Sequence, residues 1–187
     1  MQHIYLAVAR AVLLECAKRH RPLTLKRFLR KNKQYAQQSS NFETLQHGLY
    51  VTFYHNGAQL AQNGSIRGVM LDVFNEIVIH INAAFTFQAK AFRGIKLSDI
   101  CIRIDMIEDI LPVQGLSSLA PTQMGLTVEG AFGRHSVVLP GEAETAQQQV
   151  DLVLSRADMQ QTDLIGAYLL KIKTLCEEEY HQKENER

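Results

Sequence analysis

The sequence predicts a mixed α+β fold rather than a doubly wound parallel sheet. Hydrophobic residues recur at helical spacing in several segments, and strict alternation marks at least one strand. The two patterns are interspersed without regular alternation, which favours α+β. With 187 residues, of which 46% are hydrophobic, the chain is long enough to bury one sizeable core. We therefore expect a single domain over residues 1–187.

The N-terminal part is predicted to be helical and then polar. Apolar residues from Ile4 to about Ala17 follow helical spacing and indicate an amphipathic helix. A second short helix is expected around Leu25 to Arg30. The residues from about 31 to 47 are rich in Gln, Ser and Asn, which is typical of an exposed polar loop.

The next elements are a hairpin and a helix. Aromatic and β-branched residues over 48–55 indicate a strand, and Asn56-Gly57 is a strong signal for a tight turn. The returning strand is expected within residues 60–70, although Asn63-Gly64 predicts a bulge or an added loop there. From Leu71 to about Phe87 the apolar spacing predicts a core-facing helix, with Asp72 as a candidate cap.

The second half contains the clearest strand. Residues 100–106 alternate strictly, which predicts a half-buried strand with Cys101, Arg103 and Asp105 on its more polar face and Asp105 at a solvated end. Further elements are expected as strands at 125–128 and 136–139, a helix at 145–157, and a segment at 167–176 whose spacing fits either a strand or a helix. The charged tail, about 177–187, is expected to fray.

Composition excludes several classes of function. Lys and Arg total 20 against 19 Asp and Glu, so no overall field attracts the protein to nucleic acid or to an acidic membrane. No apolar run approaches the ~20 residues that span a bilayer, and the N-terminus lacks signal-peptide features, so a cytoplasmic protein without a membrane partner is expected. The three cysteines are far apart, which predicts free, buried thiols rather than a disulfide or a zinc site.

No nucleotide-binding, metalloprotease or serine-hydrolase motif occurs, so neither a cofactor nor a metal is expected. Two of the seven histidines, His55 and His135, stand at ends of predicted strands, where a neutral imidazole in a cleft could transfer protons. The plainer interpretation is a surface or packed histidine. Basic residues from Lys18 to Lys33, with Tyr35 as a stacking platform, could bind phosphates, but a solvated helix face explains them more simply.

A resemblance to a known family rests on a series of short matches in a common order. They cover most of the chain: Gly48-Leu49-Tyr50-Val51-Thr52-Phe53, Asn56-Gly57, Ile66-Arg67-Gly68, Ala83-Ala84-Phe85, Leu97-Ser98-Asp99-Ile100-Cys101-Ile102-Arg103-Ile104, Leu111-Pro112-Val113, Gly125-Leu126-Thr127-Val128, Val138-Leu139-Pro140 and Arg156-Ala157. In these segments the sequence resembles the AMME syndrome candidate-gene (AMMECR) family, whose bacterial and archaeal members are called AmmeMemoRadiSam system protein A.

The chain departs from that family at its signature, Leu-Arg-Gly-Cys-Ile-Gly, which here reads Ile66-Arg67-Gly68-Val69-Met70-Leu71. Valine at the cysteine position removes any thiol chemistry, because its side chain has no donor or ionisable atom. Arg67 and Gly68 remain, and a guanidinium beside an open backbone could hold a carboxylate or phosphate. The plainer interpretation is an arginine that ties down its own loop.

The resemblance implies an antiparallel or mixed sheet with flanking helices, arranged as one domain of two unequal lobes. It also implies work beside a Memo-like protein and a radical-SAM enzyme. Our preferred hypothesis is a non-catalytic or degenerate binding module for such partners. The alternatives are an enzyme that acts on a small anionic substrate through Arg67, His55 or His135, and a nucleic-acid-binding protein that uses the basic N-terminal segment.

Overall fold

The structure, a computed structural model, describes residues 3–18, 23–42 and 46–177. Within these ranges, four α-helices and six strands confirm the α+β class. The helices are α1 (Ile4–Ala17), α2 (Leu25–Lys31), α3 (Val73–Phe87) and α4 (Ala146–Arg156). The strands are β1 (Leu49–His55), β2 (Ala58–Gly64), β3 (Cys101–Pro112), β4 (Met124–Gly130), β5 (His135–Val138) and β6 (Leu164–Cys176).

The strands form one sheet in the order β2-β1-β3-β6-β4-β5, and the pairs β1–β2, β1–β3, β4–β5 and β4–β6 are antiparallel. Contacts divide the chain into two compact units. The larger contains the described residues up to Met106 together with the chain from Thr174, and the smaller is Ile107–Lys173. Strands β3 and β6 therefore contribute residues to both units.

The core of the larger unit lies between the helices and the strands β1 and β3. Helix α1 buries Val8 and Leu13, α3 buries Phe74 and Ile77, and β1 buries Phe53, all at 1% exposure or less. These side chains belong to one hydrophobic cluster. Burial of such aliphatic and aromatic side chains contributes roughly 1.5–3 kcal/mol each. This cluster fixes the position of α3 against the β1–β2 hairpin.

The hairpin forms as its turn residues predict. Asn56 and Gly57 both have positive φ, 52° and 79°, which is the conformation that a two-residue hairpin turn with right-handed twist requires. Strand β2 is shorter than expected because it ends at Gly64, so the loop foreseen at Asn63-Gly64 begins there. Asp72 caps α3 by accepting a hydrogen bond from the Asn75 amide at 2.8 Å.

Two expectations for the larger unit need correction. The polar segment after α2 contains a 3-10 helix, Lys33–Asn41, in which Tyr35 is buried and stacks on Phe28 with ring centroids 6.0 Å apart. The polar face of β3 is not solvated: Arg103 and Asp105 are 6% and 0% exposed. They are buried because they pair with each other and with Thr174 of β6, at 2.8 Å (Arg103 Nε to Asp105 Oδ2) and 2.6 Å (Thr174 Oγ1 to Asp105 Oδ1).

The smaller unit is built on the strands expected at 125–128 and 136–139, which are β4 and β5, and on helix α4. Thr145 and Gln148 form a capping box at the start of α4. The final segment, for which the sequence left two alternatives, is the long strand β6. Of the tail expected to fray, Glu177 is described and accepts hydrogen bonds from the side chain of Arg10 and from the Ile102 amide; residues 178–187 lie outside the described residues.

Candidate functional site

The loop that joins β2 to α3, residues 65–72, carries the segment that resembles the family signature. We call it the 65–72 loop. Its side chains at Val69, Met70 and Leu71 are 56%, 38% and 84% exposed although all three are apolar. Gly48 lies directly against the loop and donates its amide to the Ile66 carbonyl at 2.8 Å. A Cβ at Gly48 would lie 2.0 Å from the Ser65 carbonyl oxygen, so only glycine permits this approach.

The carboxylate of Glu76 is fully buried and binds the backbone of the 65–72 loop. Glu76 lies in the first turn of α3 with 0% exposure. Its Oε2 accepts the backbone amides of Val69 at 3.0 Å and Met70 at 2.7 Å, and its Oε1 lies 3.3 Å from the Ser65 hydroxyl. Burial of an unpaired carboxylate is costly, and these donors offset that cost. The backbone of the loop is therefore fixed while its apolar side chains face outward.

His80, one turn further along α3, completes the support. Its Nε2 lies 3.0 Å from Glu76 Oε1, and its Nδ1 lies 2.8 Å from the side-chain oxygen of Asn63. If Nε2 donates to the carboxylate, then either Nδ1 is also protonated or the Asn63 amide is turned so that its nitrogen donates. In both cases both ring nitrogens are engaged. The imidazole therefore positions Glu76 and the end of β2.

The neighbouring serine does not form a nucleophilic site with this histidine. Ser65 Oγ is 3.4 Å from His80 Nε2, but its hydroxyl has a shorter contact, 2.6 Å, to the Arg67 carbonyl. The amides of Val69 and Met70, which could otherwise stabilise an oxyanion, are bound to Glu76. The arrangement is suited to hold a loop, not to transfer an acyl group.

Arg67 and Gly68 are both exposed at the start of the loop. Within the described residues Arg67 forms no ion pair, so its side chain does not tie down the loop; Ser65 and Glu76 do so instead. A small anion at Arg67 would meet one exposed cation without the help of the adjacent amides at 69 and 70. Such a site would bind weakly, because a single exposed charge pair contributes only about 0–1 kcal/mol.

His55 lies at the end of β1 remote from the 65–72 loop, and His135 belongs to the smaller unit. His55 is half-buried at the turn end of β1, where it pairs with Ala58, whereas Gly48 at the other end of that strand lies against the loop. Seven residues of strand separate the two ends, about 23 Å. His135 belongs to the smaller unit, where it is exposed at the start of β5 with Nδ1 3.0 Å from the Gly133 carbonyl oxygen.

The sequence interpretation missed Glu76 and His80. Both occur among the apolar residues of α3 on its buried side, together with Val73, Ile77 and Ala84. The available signal was a carboxylate and a histidine at i and i+4 on the buried face of an otherwise uncharged helix. A charged residue on such a face is buried only when it is paired, so that spacing indicates an internal polar support.

Two cations of the basic N-terminal segment, Arg27 and Lys31, pair internally. Arg27 Nη2 and Lys31 Nζ lie 2.8 Å and 2.9 Å from the carboxylate of Glu15, which is 8% exposed. Tyr35 is buried against Phe28 and so offers no free stacking face. Residues 19–22 of the predicted basic run lie outside the described residues.

The cysteines are free and half-buried, so they are less buried than expected. Burial raises the pKa of Cys16 to about 11. A hydrogen bond with Cys101, together with burial, raises the pKa of Cys176 well above its usual range.

In the described part of the chain no group of three His, Cys, Asp or Glu side chains is placed to bind a metal ion. No helix in that part is long and apolar enough to cross a membrane.

Comparison with known proteins gives a structural match only. Neither a family model nor a curated protein matches the sequence. The fold is similar to the crystal structure of the uncharacterised protein PH0010 from Pyrococcus horikoshii, with a TM-score of 0.70 over 92% of this chain and 89% of that chain. The sequences are 11% identical, so this match shows the fold and nothing of the activity.

Proposed function

We propose that the chain is a divergent AMMECR-family protein that acts as a non-catalytic binding module. Its partner is a Memo-like or a radical-SAM protein, and the contact surface includes the 65–72 loop. One observation carries this proposal: the loop exposes Val69, Met70 and Leu71, while a fully buried carboxylate fixes its backbone. An apolar loop that is held rigid loses little conformational entropy when a partner covers it.

The chemistry of the loop supports binding over catalysis. Val69 stands where the family has its cysteine, so no nucleophile or thiolate ligand is present at that position. The amides of Val69 and Met70 are bound to Glu76, so they cannot stabilise a developing charge on a substrate. What the loop retains is apolar surface and the exposed guanidinium of Arg67. These are the properties of a contact surface.

The family assignment has support from two sources. The short matches occur in the family's order along most of the chain, and the fold is of the α+β class that the resemblance implies. Gly48, the first residue of the longest early match, packs against the loop at a distance that only glycine allows. Two of the segments that carry the resemblance, those at Gly48 and at Ile66-Arg67-Gly68, therefore meet at the loop that carries the proposal.

The experiment mixes the purified chain with a Memo-like protein and, separately, with a radical-SAM protein, and measures association by sedimentation velocity. We expect a complex with at least one of them and a loss of more than about tenfold in affinity for Leu71→Ser, since truncation of a main anchor residue of an interface costs about 2 kcal/mol or more. The matched control is Ile165→Ser, which removes a side chain 74% exposed on β6. No association with either protein, or equal losses in both variants, would refute the proposal.

A further inference from the structure

Two of the three cysteines meet at one end of the neighbouring strands β3 and β6. Cys101 is the first residue of β3 and Cys176 is the last residue of β6, and both belong to the larger unit. Both thiols are free and half-buried, so a small reagent can reach them. Their side chains share a hydrogen bond. Two thiols in contact on adjacent strands meet the first requirement for a covalent link between them.

The register of the two strands places both cysteines on one face of the sheet. The amide of Glu177 donates to the Ile102 carbonyl at 3.2 Å, and Thr174 Oγ1 contacts Asp105 Oδ1 at 2.6 Å. A step forward along β3 is therefore matched by a step backward along β6, as in an antiparallel pair. With this register the two cysteines are diagonal neighbours on the face that carries Asp105 and Thr174.

The hydrogen bonds give the two thiols different parts. Cys101 Sγ donates to the Glu177 carbonyl oxygen at 3.7 Å. A thiol has only one proton to donate, so Cys176 is the donor in the hydrogen bond between the two sulfurs. A donor directed at a sulfur favours the thiolate form of that sulfur. Cys101 is therefore the better nucleophile of the pair, and Cys176 keeps its proton.

The chain on either side of the pair is fixed by a second set of contacts. The carboxylate of Glu177 accepts hydrogen bonds from Arg10 Nε at 3.2 Å and from the Ile102 amide at 2.9 Å. Glu177 follows Cys176 directly, and Ile102 follows Cys101 directly. The fold thus holds each sulfur close to the other, which raises the effective concentration of one thiol at the other.

We infer that Cys101 and Cys176 form a reversible disulfide when the chain meets a small-molecule disulfide, with Cys101 as the first nucleophile and Cys176 as the resolving thiol. This inference goes beyond the proposed function and does not depend on it, because neither cysteine lies in the 65–72 loop.

The reaction consists of two thiol–disulfide exchanges. In the first, the Cys101 thiolate attacks one sulfur of R–S–S–R, so that a mixed disulfide forms and one RS⁻ leaves. In the second, the Cys176 sulfur attacks the Cys101 sulfur of the mixed disulfide, and the second RS⁻ leaves. The two thiol protons pass to the two RS⁻ groups. The two protein thiols are thereby oxidised to one disulfide, and R–S–S–R is reduced to two R–SH.

The experiment incubates the reduced full chain with oxidised and reduced glutathione in varied ratio at a fixed total concentration. Remaining thiols are alkylated and the products are identified by peptide mass spectrometry. We expect a disulfide between Cys101 and Cys176, formed at a ratio at least about tenfold lower than the one that modifies Cys16, because the second thiol is held in place. Cys16 is the internal control, since it is also half-buried but its sulfur contacts Asn82 Oδ1, at 3.3 Å, and not a thiol.

Two single variants test the order of attack. In Cys176→Ser the serine hydroxyl keeps a donor beside Cys101, and we expect Cys101 to accumulate as a mixed disulfide with glutathione. In Cys101→Ser we expect Cys176 to react with oxidised glutathione about tenfold more slowly than Cys101 does in Cys176→Ser, because the thiolate is the attacking species. Equal rates in the two variants would overturn the assignment of Cys101 as the first nucleophile.

Urea unfolding of the oxidised and the reduced chain tests whether the fold favours the bond. A disulfide that fits the folded chain constrains mainly the unfolded chain, so oxidation should raise the urea midpoint. The same treatment should leave the midpoint of Cys101→Ser unchanged.

Three results would each overturn the inference: no disulfide at any glutathione ratio, disulfides that include Cys16 in equal amount, or a midpoint that the bond between Cys101 and Cys176 lowers. The association experiment for the proposed function is carried out with all thiols reduced. Either proposal can therefore fail while the other stands.

Discussion

Two fully buried carboxylates in the larger unit, Glu76 and Asp105, have contrasting partners. Asp105 binds the side chains of Arg103 and Thr174, both of which lie on strands of the sheet. Glu76 binds the backbone amides of Val69 and Met70. The first carboxylate joins two strands inside the core, whereas the second holds a loop whose side chains point outward. The two carboxylates are equally buried, but Asp105 links strands of the sheet, whereas Glu76 holds a loop that exposes apolar side chains.

The contrast teaches that the donors, and not the burial, distinguish a carboxylate that joins strands from one that supports an exposed loop. The side chains that Asp105 pairs with belong to strands of the sheet, and of the two, Arg103 is buried while Thr174 is exposed. The amides that Glu76 pairs with belong to residues with 38–56% exposure. Variants at the two positions should consequently separate folding from binding.

The largest effect is expected from Asp105→Asn. This change removes the charge of the carboxylate that pairs with the guanidinium of Arg103, whose side chain is 8% exposed. Breaking such a pair typically lowers the free energy of unfolding by about 3–5 kcal/mol. Urea unfolding followed by circular dichroism measures it. Glu108→Gln, at an exposed position of the same strand, is the control and should change the free energy by less than about 0.5 kcal/mol.

If Asp105→Asn costs no more than Glu108→Gln, the ion pair of the core is not a stabilising element. Where enough of the Asp105→Asn protein remains folded, the partner affinity of the folded fraction should equal that of the unchanged chain. A reduced partner affinity of the folded Asp105→Asn protein would contradict the claim that Asp105 acts on stability alone.

A smaller loss of stability but a larger loss of binding is expected for Glu76→Gln. The amide keeps one acceptor oxygen, and its NH2 group opposes the Val69 amide in either orientation, because that amide contacts both oxygens of the carboxylate. Loss of hydrogen bonds to a buried charged group costs about 2 kcal/mol. Partner affinity, measured by sedimentation velocity, should fall because the 65–72 loop is no longer held in one conformation. Glu129→Gln, exposed on β4, serves as the control.

Wild-type affinity in the folded Glu76→Gln protein would show that the loop needs no internal support. It would also remove the contrast with Asp105, since both carboxylates would then act on stability alone.

The smallest effect concerns pH, through the thiol beside the Asp105 network. The hydrogen bond with Cys101 raises the pKa of Cys176 above 9.0, the ordinary value of a cysteine thiol. A raised folded-state pKa means that the stabilising contribution is fully present below pH 9.0 and is lost as the pH rises above it, because the unfolded thiol ionises first. We expect the free energy of unfolding to decrease above that pH, and Cys176→Ser to reduce the decrease.

The pH effect also tests the contrast. No thiol touches Glu76 among the described residues, so Glu76→Gln should keep the same alkaline slope. If Glu76→Gln changes the decrease of the free energy of unfolding with pH and Cys176→Ser does not, the pH dependence does not come from the thiol beside Asp105.

Local patterns were sufficient to predict most elements of the fold. The period of 3.6 residues located α1 and α3, and Asn56-Gly57 fixed the hairpin turn, because these features depend on neighbouring residues alone. The burial of Arg103 and Asp105 was not predictable from alternation. It depends on Thr174, which is 69 residues away in sequence from Asp105 and reaches it only through the pairing of distant strands.

The candidate site was predicted in part. The resemblance directed attention to Arg67 and Gly68, and both lie in the loop, but it did not indicate that the amides beyond them are already bound. The glutamate that binds them looked like an ordinary member of the first helical turn. Its i, i+4 spacing with His80 indicates that the carboxylate is paired, but its contact with the loop depends on how the loop folds back over α3.

Amide hydrogen exchange at Val69 and Met70 in the unchanged chain tests the central claim most directly. The claim is that Glu76 fixes an exposed loop. We predict that both amides are protected in the free protein although their side chains are exposed, and that Glu76→Gln removes the protection. Exchange of the Val69 and Met70 amides at the rate of an unstructured loop in the unchanged chain would contradict the claim.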